Sequence, residues 1–191
     1  MGRKYVAFMP VDARLLPARE AIDAVVSSLV ESGIVQGDPK DPASLRNGPK
    51  TESLFRDTDP KKSGDGHGTD AGHMTFRVHE GEIEGFAGDN LEPVACIHCN
   101  SELPYNCAQD AFWALRDGKS IDDPMMSMEC YHCGETNSAL DADWGRSGGF
   151  ARVAFIFEGE TSNRIEPNRE GMASIEALLG APVRFAQVHS W

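Results

Sequence analysis

Four cysteines fall into two matched pairs, Cys96-Ile97-His98-Cys99 and Cys130-Tyr131-His132-Cys133, with thirty residues between the pairs. Two intervening residues let one tight turn present both sulfurs to a single ion. Two such turns, face to face, complete a tetrahedral shell of four thiolates, which suits zinc. Asn100 follows the first pair and Gly134 the second. Both residue types tolerate the left-handed backbone conformation that turns N–H groups toward the sulfurs. The spacing therefore predicts one zinc ion on Cys96, Cys99, Cys130 and Cys133. Four protein ligands leave no position for a substrate, so the ion is expected to be structural and to add folding free energy directly.

Other chemistries compete for the same cysteines. Two disulfides suit a secreted chain and would leave the fifth cysteine, Cys107, over. A redox pair needs only one of the two motifs. An iron–sulfur cluster also accepts four cysteines, and spacing alone does not separate zinc from iron. His98 and His132 are expected as exposed turn residues, since the flanking cysteines complete the shell without them. Cys107 is expected as a half-buried free thiol on or near a helix.

A second group of chemistry-bearing residues lies in "DGHGTDAGHMTFRVH", which contains Asp65, His67, Asp70, His73 and His79. Histidine with carboxylate can bind a metal or move protons, so a metal-dependent hydrolase using His67, Asp70, His73 and His79 is the enzyme alternative. The spacing does not repeat on a helix face, and a solvated glycine-rich loop is the plainer expectation. The neighbouring "DTDPKKSGDG" lacks the sixth-position glycine and terminal glutamate of a calcium loop. Phosphate-cradling, nucleophile-elbow and dinucleotide fingerprints are absent, and no catalytic residues are assigned.

Charge bears on the partner. The 191 residues carry a formal charge of −12, and residues 92–140 hold eight acidic against two basic groups. Affinity for DNA or RNA comes largely from Lys and Arg on phosphates. A nucleic-acid-binding zinc ribbon, the third reading, is therefore disfavoured. Trp113, Trp144 and Trp191 are expected to pack rather than to stack on bases, because no basic residues interleave with them. No uninterrupted apolar run approaches a membrane span. The run Tyr5–Val11 is too short for a signal-peptide core, so a cytoplasmic protein is expected. The partner is expected to be another protein or a small ligand, and oligomeric state is not fixed by the sequence.

The elements that must carry these residues follow from periodicity. "KYVAFMPV" reads as a strand. Residues 17–32 read as a helix, with Ile22, Val25, Val26, Leu29 and Val30 at helical spacing, Pro17 in the first turn and Gly33 past the end. Residues 36–72 read as a long polar loop. Met74, Phe76 and Val78 alternate as a half-exposed strand. A short helix falls at "CAQDAFWALRDGK" between the cysteine pairs. A strand follows at 149–159, apolar on both faces. Then come a helix with Met172, Ile175, Leu178 and Leu179 as its stripe, and a closing strand at 183–191. With residues 92–146 set aside, the order is β-α-β-β-α-β, the ferredoxin-like plan of the α+β class, interrupted by a zinc-ribbon-like insertion. Residues 1–91 supply the first half and 147–191 the second half of one sheet. The two most continuously apolar strands, first and third, belong in its centre, with the second and fourth at its edges.

The stretch "CYHCGETNSALDADW", followed by "GFARVAFIFEG" and "ALLGAPVRFAQVH", resembles a group of uncharacterised bacterial proteins. These combine a four-cysteine metal module with a GFAR-type strand and a terminal helix–strand unit. The resemblance covers residues 94–191. It implies that metal module and terminal unit form one architecture, and it brings no activity and no catalytic residues.

Overall fold

The computed structural model describes residues 3–57, 75–87, 92–158 and 165–190. In chain order the elements are β1 (Arg3–Pro10), α1 (Arg19–Glu31), β2 (Val35–Asp38), β3 (Asp41–Asn47), β4 (Phe55–Asp57), β5 (Thr75–Ala87), α2 (Tyr105–Arg116), β6 (Ser127–Glu129), β7 (Thr136–Ser138), β8 (Gly148–Glu158), β9 (Ile165–Pro167), α3 (Arg169–Leu179) and β10 (Val183–Ser190). Six strands form an antiparallel sheet in the order β10-β1-β8-β5-β3-β2. The four strands expected from the sequence stand side by side within it as fourth, first, third, second. Among the described residues the fold is mixed α/β, with three α-helices and a curled sheet.

The expected loop over 36–72 needs correction in its first half. Asp38 Oδ1 accepts the N–H of Lys40 at 2.8 Å and turns the chain between β2 and β3. The Asp, Pro and Lys residues that read as loop are therefore the turn of a hairpin. That hairpin adds to the sheet, with Leu45 opposite Phe76 and Arg46 opposite Thr75. The second expected strand, β5, is consequently not an edge. Residues 51–53 form a 3-10 turn, and β4 pairs with β9. Residues 58–72 of the expected loop lie outside the described residues.

One face of the sheet carries the main core. Val6 and Phe8 of β1, Val153, Phe155 and Phe157 of β8, and Phe185 of β10 meet Ile22, Val25 and Leu29 of α1 and Ile175 and Leu179 of α3. Phe8 contacts Phe157 and Phe185 edge-on, with ring centres 6.0 and 5.3 Å apart. Each such buried ring stabilises by about 1.5–3 kcal/mol. α1 starts at Arg19 with Ala18 as its cap, two residues later than Pro17 suggested. α3 starts on Asn168, whose side chain accepts the Glu170 N–H, and stops at Gly180 with φ of 67°. Leu178, expected in its buried stripe, is exposed. The stripe follows Met172, Ile175 and Leu179, leaving 178 about one residue's rotation outside it.

The opposite face of the sheet holds small residues, Ala7, Ala151, Ala154 and Ala186, beside Met9, Ile156 and Val188. Small side chains let the sheet curl inward, and β10 approaches β5 although β1 and β8 lie between them. β5 itself is bulged. Glu80 faces Val153 and Glu84 faces Ala151, so β5 carries two more residues than β8 across that interval. His79 braces the bulge: Nδ1 lies 2.9 Å from Glu84 Oε2 and Nε2 lies 3.0 Å from the Glu82 carbonyl. Arg152 Nε donates to the Gly81 carbonyl at 2.9 Å.

Candidate metal centre

Residues 92–146 build the site from two turns with one hydrogen-bond scheme. In the first turn the Cys96 N–H donates to the Ser101 carbonyl and the Asn100 N–H to the Cys96 carbonyl, both at 2.8 Å. In the second, the Cys130 N–H donates to the Glu135 carbonyl at 2.9 Å and the Gly134 N–H to the Cys130 carbonyl at 2.8 Å. Asn100 and Gly134 take φ of 60° and 74°, the conformation their residue types admit. The second turn is held at the tip of the β6–β7 hairpin. The first is anchored by Ala95, which bridges Glu102 and Asp143.

The turns face each other. The four sulfurs of Cys96, Cys99, Cys130 and Cys133 lie within 4.8 Å of one another and can hold a metal ion. Two of the approaches run between turns, with Cys96 Sγ 3.8 Å from Cys133 Sγ and Cys99 Sγ 3.7 Å from Cys130 Sγ. A disulfide needs about 2.05 Å, and all five cysteines are free thiols. Cys96 and Cys130 are buried, Cys99 is half-buried and Cys133 is exposed.

The surroundings divide the sulfurs electrostatically. Burial pushes the Cys96 thiol up, but hydrogen bonds from Asn137 and from the His98 and Cys99 N–H groups outweigh it and bring it down to about 6. The Ser101 hydroxyl and N–H hold Cys99 below the usual thiol range. At Cys133 the Glu135 N–H pulls down, while burial and the sulfurs of Cys99, Cys130 and Cys96 push up more strongly, to about 12. Four crowded sulfurs cannot all ionise side by side, whereas a cation among them would offset their repulsion.

Asn137 is the supporting residue that sequence reading missed. It is fully buried. Its Nδ2 donates to Cys96 Sγ at 3.4 Å and to the Glu135 carbonyl at 3.3 Å, and its Oδ1 accepts the Ile97 N–H at 3.0 Å. One side chain from β7 thus ties the first turn to the second. A buried amide close behind a cysteine pair is a usable signal, but nothing in the sequence alone marks Asn137 as buried.

Trp144 joins this unit to the sheet. Its ring is fully buried, its Nε1 donates to the Ala139 carbonyl at 2.7 Å, and it meets Phe150 of β8 and Phe112 of α2 at 5.1 and 5.9 Å between ring centres. Arg14, before α1, pairs with Asp141 at 2.5 Å. Trp113, expected to pack, is instead exposed, with the Arg116 guanidinium 4.7 Å from its ring centre. Ala108, Ala111 and Ala114 form the inward stripe of α2, which turns position 113 to solvent. Trp191 lies outside the described residues.

The remaining candidates separate from the cluster. His98 and His132 are exposed, and Cys107 is half-buried on α2. His67, Asp70 and His73 lie outside the described residues. His79 is described, and both its ring nitrogens are engaged by oxygen acceptors within β5. Among the described residues no helix is long and apolar enough to cross a membrane. No family model matches the chain, and neither a curated protein nor a solved structure matches it.

Proposed function

We propose that Cys96, Cys99, Cys130 and Cys133 hold one zinc ion as a structural staple, and that the chain works by binding a protein or small ligand rather than by catalysis. The observation that carries this is the sulfur spacing. A zinc–thiolate tetrahedron with bonds of about 2.3 Å has edges of about 3.8 Å; two of the six sulfur separations are 3.7 and 3.8 Å, and all lie within 4.8 Å. Thiolates of a multi-iron cluster bind separate irons and stand farther apart than ligands of one ion.

Around this centre we read β1, α1, β5, β8, α3 and β10 as a ferredoxin-like sandwich, with residues 92–146 inserted between its halves, 1–91 and 147–191. The neighbour order β10-β1-β8-β5 supports that reading. The hairpin β2–β3 is an addition at its second-strand side.

Elemental analysis of protein purified without added metal tests the function, with a His67→Ala/His73→Ala variant alongside. One zinc per chain in both proteins is the expected result. A chain without metal overturns the staple. A second ion, lost in the variant, moves the function to hydrolysis at the glycine–histidine segment.

A further inference from the structure

The four sulfurs are chemically alike but differently placed. Cys96 and Cys130 are buried, and Cys99 is half-buried beneath the first turn. Cys133 is exposed, next to Tyr131 and His132, which are exposed as well. Tyr131 is 81% exposed and reaches into solvent beside Cys133. A small neutral oxidant arriving from solvent meets Cys133 first. Beneath it, 3.8 Å away, lies Cys96 Sγ on the opposite turn. Reactivity with peroxides follows thiolate character and access together. A metal-bound cysteine is deprotonated, so access alone separates the four.

We propose that Cys133 is a peroxide-oxidation site and that Cys96 resolves it, expelling the ion; this rests on the metal-binding reading above. In the first step the Cys133 thiolate attacks one oxygen of a hydroperoxide. An S–O bond forms, the O–O bond breaks, and hydroxide or alkoxide leaves. In the second step the Cys96 thiolate attacks Cys133 Sγ. An S–S bond forms, the S–O bond breaks, and hydroxide leaves. Two thiolates lose two electrons in total and the peroxide gains them. The released anions take protons from solvent. The ion departs with only Cys99 and Cys130 left to hold it, and those thiolates take up protons. The product disulfide joins the two turns that the ion had joined. Oxidation therefore exchanges one crosslink for another, and a thiol reductant with fresh metal reverses it.

The test uses the full chain with Cys107→Ser, so that every thiol counted belongs to the cluster. Metal content is measured on the reduced protein first. Hydrogen peroxide is then added with a chromophoric chelator present, and the products are mapped by peptide mass spectrometry, with and without dimedone as a sulfenic-acid trap. Release of one ion for every two thiols lost is expected, with dimedone on Cys133 and a Cys96–Cys133 disulfide in its absence. A Cys96→Ser variant should accumulate the Cys133 adduct severalfold over its parent. Dimedone on another cysteine, a Cys130–Cys133 disulfide, or an ion retained through complete exposure to peroxide overturns the inference and leaves the metal reading intact. A reduced protein without metal overturns both.

Discussion

Gly85 of β5 lies so close beneath the ring of Phe112 that a Cβ at this position would stand 2.6 Å from Cζ. The ring cannot swing aside freely, because Trp144 and Phe150 pack on it at 5.9 and 5.1 Å. Sheet and cysteine unit therefore meet at a missing methyl group. Gly85→Ala is expected to destabilise the protein by about 1–3 kcal/mol through overpacking. Adding Phe112→Leu should recover part of the loss, since the two residues share one contact. Denaturant unfolding of the two single variants and the double variant measures both effects; additive losses would show that the contact does not join them.

Asn137→Ala removes the buried amide that holds Cys96 Sγ and the Ile97 N–H. The Ile97 N–H then loses its acceptor, at a cost of about 1–3 kcal/mol. If the cysteines hold the ion, affinity should fall by about ten- to a hundredfold, as for other residues that orient metal ligands. Competition with a calibrated chelator reads the affinity, and denaturant unfolding reads the stability. An unchanged affinity would make Asn137 a packing residue only.

The His79–Glu84 pair gives stability a pH dependence. The Glu84 carboxylate, then the Glu82 carbonyl, raise His79 above its ordinary 6.5 against the opposing effect of burial. The His79 ring lowers Glu84 below its ordinary 4.5. The histidine contribution is fully present below pH 6.5 and is lost as pH rises through the raised value. The glutamate contribution is present above pH 4.5 and is lost as pH falls through the lowered value. The pair thus stabilises most between those two limits. It is partly exposed, so screening limits it to about 0.5–1 kcal/mol. His79→Gln should cost more at pH 5.5 than at pH 9. Equal costs at the two pH values would refute the pairing.

If the four cysteines hold an ion, stripping it should loosen residues 92–146 before the sheet, because it would remove the crosslink between the two turns. Trp144, fully buried, should then show red-shifted fluorescence on chelation, while the far-ultraviolet signal of the sheet persists. Acid should act in the same direction, as protons compete for the thiolates. A cooperative loss of all structure at once would mean that the two cores do not unfold separately.

The cysteine pairs were readable because residues able to ligate one ion are marked locally by their type and spacing. The positive φ of Asn100 and Gly134 followed from the same few residues. β8 was readable because both its faces are buried, which leaves an uninterrupted apolar run. The β2–β3 hairpin was not, because its strands are short and polar, and only Val35, fully buried, and Leu45, partly buried, reach the core from it. Leu178 and Trp113 were misassigned for one shared reason. Each is apolar yet lies just outside its helix's inward stripe, and only the packed partner decides where that stripe ends.

β1 bonds to β8 on one side, with Tyr5 opposite Glu158, and to β10 on the other, with Tyr5 opposite Val188. Both partners are translated long after it. A nascent β1 must therefore wait, apolar and unpaired, while each cysteine turn, closed by backbone bonds between residues four or five apart, can form as soon as it emerges. The order of synthesis makes closure of the cysteine turns an early event and completion of the sheet a late one.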